Sequence, residues 1–249
     1  LKYNQIDSST YYINKTPPPF DVIEYYVKNN GLKSISKYLT FEKIKPENIN
    51  GIFNIKHLDN GAIIQFQEDY FSGHECKMKI IKNNNEEIYL DTYRSSKTKI
   101  SSKLLSFSYF NDIQKIILVY QTNPKIEFEK EINGIYVNNK IDNNFIHENF
   151  IIKTNSKSFY NDIFMTIEDT NIVMKNYKLL DNPINLKPNN IPFKNNVQIY
   201  YENFSDENGN FGLYKYNGKK WIFQDKNKGN KIKHNTYSGG IFAILTEYE

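Results

Sequence analysis

Near its C-terminus the chain reads Phe211-Gly-Leu-Tyr-Lys-Tyr-Asn-Gly-Lys-Lys-Trp-Ile-Phe223. Two apolar runs flank Asn217-Gly218, and this pattern is the strongest short-range signal for a β-hairpin. A type I′ turn requires positive φ at both central residues, which Asn and Gly tolerate. We therefore predict a hairpin with a type I′ turn, in which Trp221 opens the return strand and anchors the hairpin in the core.

A second run, Gly239-Gly-Ile-Phe-Ala-Ile-Leu245, closes the chain. Its apolar residues are continuous rather than alternating, which predicts a strand that is buried on both faces. No helix follows Gly239-Gly240, so this pair favours a bulge or tight turn rather than a phosphate-binding loop.

Composition predicts strands throughout the chain. Aromatic residues make up 15% of the 249 residues, and Ala62 and Ala243 are the only alanines. Aromatic and β-branched residues suit pleated, half-buried surfaces, whereas alanine is the best helix former. The predicted fold class is all-β, with tandem immunoglobulin-like β-sandwich domains and few or no helices.

Turn-forming residues and prolines divide the chain into segments. Short apolar runs between residues 50 and 122, such as Leu104–Phe110, have turn signals about every 8–12 residues, as in an immunoglobulin-like sandwich. Pro183, Pro188 and Pro192 predict that the stretch before Val197 is an edge or a loop rather than a central strand. The predicted divisions are an extended Pro-rich segment (1–19), a β-hairpin or the end of a preceding β domain (20–48), an immunoglobulin-like β-sandwich (49–123) and a C-terminal β-sandwich (124–249).

Charge and hydropathy narrow the classes of partner. The net charge is +4, and Arg94 is the only arginine, although arginine is the usual residue for phosphate and guanine recognition. We therefore predict no nucleic-acid partner. No apolar run approaches the roughly 18 residues of a membrane span. The chain begins at Leu1 rather than Met, which is typical of a processed or truncated polypeptide.

No motif for catalysis or metal binding is visible. The four histidines are scattered, and His74-Glu75-Cys76 is interpreted as a surface histidine beside a half-buried cysteine, because a zinc site needs three or four converging ligands. Glu68-Asp69 is interpreted as part of a solvated loop, with a site for calcium or a sugar as the alternative. The prediction is a non-enzyme without catalytic residues, metal or cofactor.

The surplus of tyrosine offers candidate contact residues. Neighbouring aromatics on a strand point to opposite faces, so one of each pair is expected at the surface, where it can stack on a sugar or anchor a protein. Edge-strand packing and the codon bias of an AT-rich genome explain the same surplus without a binding role. The candidate binding residues are Tyr70, Tyr200, Tyr214, Tyr216 and Trp221.

Four segments together resemble the C-terminal β domains of bacterial M23-type (lysostaphin-like) metallopeptidases, and the resemblance covers residues 50–249. The segments are Phe150–Ile167, Tyr177–Tyr201 with Ile191-Pro192 in its middle, Leu213–Phe223 and Gly239–Leu245. In that family zinc is held by His-x3-Asp and His-x-His motifs, and neither motif occurs in this chain. The resemblance therefore implies the non-catalytic part that accompanies such peptidases, and leaves open whether a peptidase domain precedes Leu1.

The function expected from these observations is a non-catalytic accessory or scaffold module of the bacterial envelope, in the periplasm or at the cell surface. It would contact an envelope protein or the peptidoglycan, or act as a subunit of an assembly. The alternative is a carbohydrate-binding or adhesin-like β-sandwich that uses exposed tyrosine and tryptophan. The third hypothesis, an enzyme assembled from scattered residues, has no motif in its favour.

Overall fold

A computed structural model describes residues 43–172, 177–202 and 211–247, together with short segments (3–5, 11–13, 22–26, 28–29, 32–34 and 37–40) nearer the N-terminus. The described residues are nearly all β, in several antiparallel sheets, which confirms the predicted all-β class with few or no helices. The prolines of the predicted 1–19 segment lie outside the described residues. Within the described part, no helix has the length and apolarity needed to cross a membrane.

The strands pair antiparallel throughout. Those before residue 43 are β1 (Tyr3–Gln5), β2 (Tyr11–Ile13), β3 (Val22–Tyr25), β4 (Lys28–Asn29), β5 (Leu32–Lys33) and β6 (Lys37–Thr40). Next come β7 (Gly51–Leu58), β8 (Gly61–Glu68), β9 (Cys76–Lys82), β10 (Glu87–Leu90), β11 (Thr92–Ser96), β12 (Lys99–Ser102), β13 (Ile113–Tyr120) and β14 (Ile126–Glu131). The remainder are β15 (Gly134–Val137), β16 (Asn143–His147), β17 (Phe150–Thr154), β18 (Ile163–Asp169), β19 (Tyr177–Leu179), β20 (Ile184–Lys187), β21 (Pro192–Glu202), β22 (Gly212–Tyr216), β23 (Trp221–Lys226), β24 (Lys231–Ser238) and β25 (Gly240–Glu247). Two 3₁₀ turns lie at Pro46–Asn48 and Phe107–Phe110.

Strands β7 to β14 form the first sandwich. One of its sheets has the order β11–β12–β8–β7, and the other has the order β10–β9–β13–β14. Alternate residues of β8, such as Ile64 and Phe66, are fully buried, and the ring of Phe66 packs edge-on against Tyr120 of β13 with 6.4 Å between centroids. Each such side chain stabilises the fold by about 1.5–3 kcal/mol. Strand β14 pairs with β13, so this sheet continues to Glu131, beyond residue 123 at which the first predicted sandwich ends.

Strands β15 to β25 form the second sandwich. Its larger sheet has the order β15–β18–β20–β25–β22–β23, with β19 also paired to β25, and its smaller sheet has the order β16–β17–β21–β24. Buried residues of both sheets, including Ile152, Ile199 and Phe242, belong to a core cluster that is continuous with that of the first sandwich.

Strand β25 lies at the centre of the larger sheet, as its sequence predicted. Phe242 and Ile244 join the main core, whereas Ala243 and Leu245 are buried on the opposite face beside Tyr214. The prediction of a strand buried on both faces is therefore confirmed. At Gly239 the chain crosses from β24 in one sheet to β25 in the other, and a Cβ there would lie only 2.3 Å from the carbonyl oxygen of Pro188.

Three local predictions were wrong. Strand β20 sits between β18 and β25, because the prolines that flank it fall outside its ladder and remove no hydrogen bond from it. The segment Leu104–Phe110, predicted as a strand, is not one. Leu105 forms only an isolated bridge to Ala62, and the residues after it form a 3₁₀ turn that buries Phe107 and Phe110. The β22–β23 hairpin has a four-residue loop instead of a type I′ turn, and in this loop the side chain of Asn217 accepts hydrogen bonds from the backbone N–H groups of Lys219 and Lys220.

The two sandwiches are joined by close side-chain contacts. The ring of Phe164 stacks on Phe110 with 4.6 Å between centroids and lies near-parallel to the ring of His57 at 6.2 Å. On the same strand, Glu168 pairs with Lys130 of the first sandwich at 2.6 Å and with Lys187 at 2.7 Å. These contacts fix the orientation of one sandwich relative to the other.

Candidate functional site

A polar cleft opens beside the junction of the two sandwiches. It consists of two adjoining cavities of about 390 Å³ and 440 Å³, which share a set of lining residues from both sandwiches. These shared residues are Asp59, Asn60, Phe107, Asn161 and Asp162. Ligand sites occur preferentially at such domain junctions, where concave surface combines with a few converging polar groups.

Local turns bring these residues together. Asp59 and Asn60 form the two-residue turn between β7 and β8, and Asn161 and Asp162 end the loop that leads into β18. Phe107 is buried in the 3₁₀ turn and forms the apolar floor. The sequence predicted the turn at 59–61 but gave no signal that it would face a loop one hundred residues further along.

Hydrogen bonds fix the orientation of the Asp162 carboxylate. Its Oδ2 accepts a hydrogen bond from the hydroxyl of Tyr136 at 2.5 Å, and its Oδ1 accepts one from the backbone N–H of Asn139 at 2.9 Å. The side-chain amide of Asn139 in turn donates to the carbonyl of Tyr160 at 3.0 Å. The hydrogen bond to Asp162 raises the pKa of Tyr136, so its phenol remains a protonated donor at neutral pH.

An exposed aromatic ring stands at the mouth of the cleft. Tyr160 is 66% exposed although its neighbour Phe159 is buried against Phe193. The Nζ of Lys194 lies 5.7 Å from the centroid of the Tyr160 ring. The cleft thus combines carboxylates, side-chain amides and an accessible ring face, which is the chemistry that binds vicinal hydroxyls and the apolar face of a sugar.

The predicted binding residues do not line this cleft. Tyr214 is buried, and its ring packs between those of Tyr177 and Phe223, at 5.4 Å from each. Tyr216 and Trp221 face each other across β22 and β23 with 5.3 Å between ring centroids. These aromatics cover the outer face of the β22–β25 pair. There the partly buried Trp221 packs on the small cluster of Tyr214, Ala243 and Leu245, and not in the main core as predicted.

The other two predicted residues lie elsewhere. The half-buried ring of Tyr200 in β21 lies between two lysine ammonium groups, with Lys153 Nζ at 4.4 Å and Lys233 Nζ at 5.4 Å from its centroid. Tyr70 is exposed in the loop after β8. The structure therefore places the five predicted residues in three separate regions, and their role in binding stays a prediction.

A buried ion pair in the first sandwich was missed by the sequence analysis. Glu68, interpreted above as part of a solvated loop, is only 1% exposed at the end of β8. Arg94 donates to both of its oxygens, from Nη1 at 2.6 Å and Nη2 at 3.1 Å, while the hydroxyls of Ser72 and Tyr120 donate to Oε1. Burial raises the pKa of Glu68, but these hydrogen bonds and the charge of Arg94 hold it below its ordinary value.

The cavity next to this ion pair, of about 560 Å³, contains His74 and Cys76. Burial raises the pKa of the Cys76 thiol to about 11, so the thiol is protonated at neutral pH and is a poor nucleophile. His74 uses its Nε2 in a hydrogen-bond contact of 2.8 Å with the carbonyl of Ile44. These groups favour a structural role over nucleophilic chemistry.

Among the described residues, one group places a histidine and two carboxylates within reach of a single ion: His147, Glu148 and Asp169. It lies apart from the cleft and was not singled out by sequence, since His147 and Asp169 are on different strands.

No protein-family model matches the chain, and no curated protein matches it.

Proposed function

We propose that the chain is a non-catalytic module of the bacterial cell envelope that binds a cell-wall glycan in the cleft between its two sandwiches. The observation that carries this proposal is the oriented carboxylate of Asp162 beside the exposed ring of Tyr160. Carboxylates and amides accept and donate hydrogen bonds to sugar hydroxyls, while a tyrosine face packs on the C–H face of a pyranose.

Side-chain contacts across the junction of the two sandwiches support a ligand-binding role for the cleft. The stacked pair of Phe110 and Phe164 and the ion pairs of Glu168 hold both walls of the cleft in place. A preformed site loses less conformational entropy when a ligand binds, and a flexible glycan therefore needs fewer contacts for the same affinity.

The architecture fits an accessory module of the kind implied by the M23-type resemblance. We propose that the first sandwich is immunoglobulin-like, because its two sheets have the strand orders expected for that fold when β7 is taken as strand A. One sheet then has the order D–E–B–A, and the other has C–F–G with an added C′ strand at its edge. Location in the periplasm or at the cell surface is part of the proposal.

Co-sedimentation with purified peptidoglycan sacculi tests the proposal. Wild-type chain is expected in the pellet, and Asp162→Asn and Tyr160→Ala are each expected to shift it to the supernatant. Tyr89→Ala is the matched control, because Tyr89 is equally exposed but lies on edge strand β10, away from the cleft. Equal sedimentation of all four proteins, or none by the wild type, would refute glycan binding by the cleft.

Contact with a protein is the second candidate function, and strand β23 favours it. This strand ends the larger sheet of the second sandwich in the described ladders, and Phe223 on it is 53% exposed beside the exposed Ile222. An edge strand with exposed apolar side chains can pair with an extended segment of a partner. Cross-linking in envelope extract should then recover a partner with the wild type and lose it with Phe223→Lys, whereas unchanged recovery would argue against this edge.

A further inference from the structure

Three potential ligands converge at the start of the turn between β16 and β17. His147 is the last residue of β16, Glu148 follows it in the turn, and Asp169 is the last residue of β18. One ligand atom from each residue lies within 4.8 Å of the others. The group thus connects the two sheets of the second sandwich, because β16 and β18 belong to different sheets.

Contacts at both ring nitrogens fix the position of the His147 ring beside the two carboxylates. Its Nε2 lies 2.8 Å from Oδ1 of Asp169, its Nδ1 contacts the side-chain amide of Asn133, and the side chain is only 12% exposed. In the structure the amide Nδ2 of Asn133 donates to Nδ1, so Nε2–H donates to Asp169. Rotation of the Asn133 amide by 180° lets its oxygen accept from Nδ1–H, and the lone pair of Nε2 then points at the carboxylates. A histidine held at one ring nitrogen while the other faces the ion is the usual arrangement at protein metal sites.

The donor set selects a class of ion. Imidazole nitrogen with carboxylate oxygens suits Zn²⁺ and related transition metals, whereas Ca²⁺ takes six to eight oxygen ligands. Tetrahedral Zn²⁺ with bonds of about 2.0–2.2 Å places its ligand atoms about 3.4 Å apart. Ligand atoms at the 4.8 Å limit would have to close by about 1.4 Å, and the 2.8 Å contact between His147 and Asp169 would have to open by about 0.6 Å. Both adjustments are accessible by side-chain rotation, because Glu148 is exposed and Asp169 is half exposed.

We propose that His147, Glu148 and Asp169 form a Zn²⁺-type metal site, with water completing the coordination and Asn133 orienting the histidine. The ion would clamp the β16–β17 hairpin to β18 and so stabilise the second sandwich. The site shares no lining residue with the cleft. The metal-site proposal is therefore independent of the proposal that the cleft binds a glycan.

Calorimetric titration of the tag-free, chelator-treated full chain with Zn²⁺ tests the site. One ion is expected to bind per chain, with a rise in the thermal unfolding temperature, and Ca²⁺ is expected to bind more weakly. His147→Ala should abolish binding, and Asn133→Ala should weaken it about 10- to 100-fold. Glu148→Gln, an exposed change that leaves the core intact, should also weaken it.

His234→Ala provides the matched control. His234 also faces an aspartate, with 3.7 Å between its Nδ1 and Oδ2 of Asp225, but this pair is not part of a three-ligand group among the described residues. This variant should bind Zn²⁺ as the wild type does. The proposal is overturned if the wild type binds no Zn²⁺, if folded Glu148→Gln binds it unchanged, if Ca²⁺ binds more tightly, or if His234→Ala is as damaging as His147→Ala.

Discussion

Replacing Arg94 with methionine should destabilise the chain more than any surface charge change. Glu68 is 1% exposed, and Arg94 supplies both a charge and two of its hydrogen bonds, so Arg94→Met leaves a buried carboxylate without its counter-ion. Breaking a buried ion pair in this way costs about 3–5 kcal/mol in the free energy of unfolding. That is a large share of the roughly 5–15 kcal/mol of a typical domain. Urea unfolding followed by circular dichroism measures it.

A double variant and the pH dependence of unfolding distinguish the loss of the counter-ion from the loss of side-chain packing at Arg94. Glu68→Gln combined with Arg94→Met should cost less than Arg94→Met alone, because no buried charge remains. In the wild type the pKa of Glu68 is depressed, so its stabilisation is complete above the ordinary carboxyl pKa and is lost as pH falls through the folded value. In Arg94→Met only burial and the hydroxyl donors act on Glu68, so the deficit relative to wild type should shrink toward low pH.

An exposed ion pair supplies the control for this series. Lys103 and Asp91 are 2.8 Å apart, but both side chains are more than two-thirds exposed. Lys103→Met should therefore leave the urea midpoint unchanged. If Arg94→Met costs less than about 1 kcal/mol, or no more than Lys103→Met, the reasoning about Glu68 is refuted.

Three further predictions concern stability. Burial lowers the pKa of His57 to about 4, so between pH 6.5 and 4 the unfolded chain binds a proton at this histidine and the folded chain does not. The free energy of unfolding should therefore fall by about 1.4 kcal/mol per pH unit as the pH is lowered through this range. In urea titrations across the same range, His57→Phe should flatten that slope. Gly239→Ala should lower the free energy of unfolding by about 2 kcal/mol or more in differential scanning calorimetry, because the new Cβ would collide with backbone oxygens. Gly218→Ala should lower it by only about 1 kcal/mol, because the space around Gly218 is open and the cost comes from its φ of +90°. Phe164→Ala should cost about 3–5 kcal/mol in the same assay, and a smaller loss would mean that the junction stack contributes little.

Local sequence patterns predicted the strands and turns that are determined by neighbouring residues in the sequence. The continuous run at Ile241–Leu245 identified a strand buried on both faces, and the Asp59-Asn60-Gly61 turn was recognised from its residue types. The prolines misled at β20, because a proline outside a short ladder removes no hydrogen bond from it. Strand β11 escaped notice because its residues, Thr-Tyr-Arg-Ser-Ser, do not alternate between polar and apolar.

Features that depend on long-range pairing had no signal in the sequence. Glu68 and Arg94 look like ordinary surface charges until β8 and β12 pair and bring β11 alongside. The cleft joins the 59–60 turn, the 3₁₀ turn at Phe107 and the 160–162 loop, which meet only after the two sandwiches dock. The sequence also did not show that Phe159 packs on Phe193 of β21 while its neighbour Tyr160 is exposed.

Binding of a soluble peptidoglycan glycan fragment, measured by isothermal titration calorimetry, tests the central claim most directly. The wild-type chain should bind with saturable heat, and Asp162→Asn and Tyr160→Ala should each lose that heat while their thermal unfolding temperatures stay close to the wild-type value. Saturable binding that is equal in the wild type and both variants, or the absence of binding by the wild type, would contradict the assignment of the inter-sandwich cleft as a glycan site.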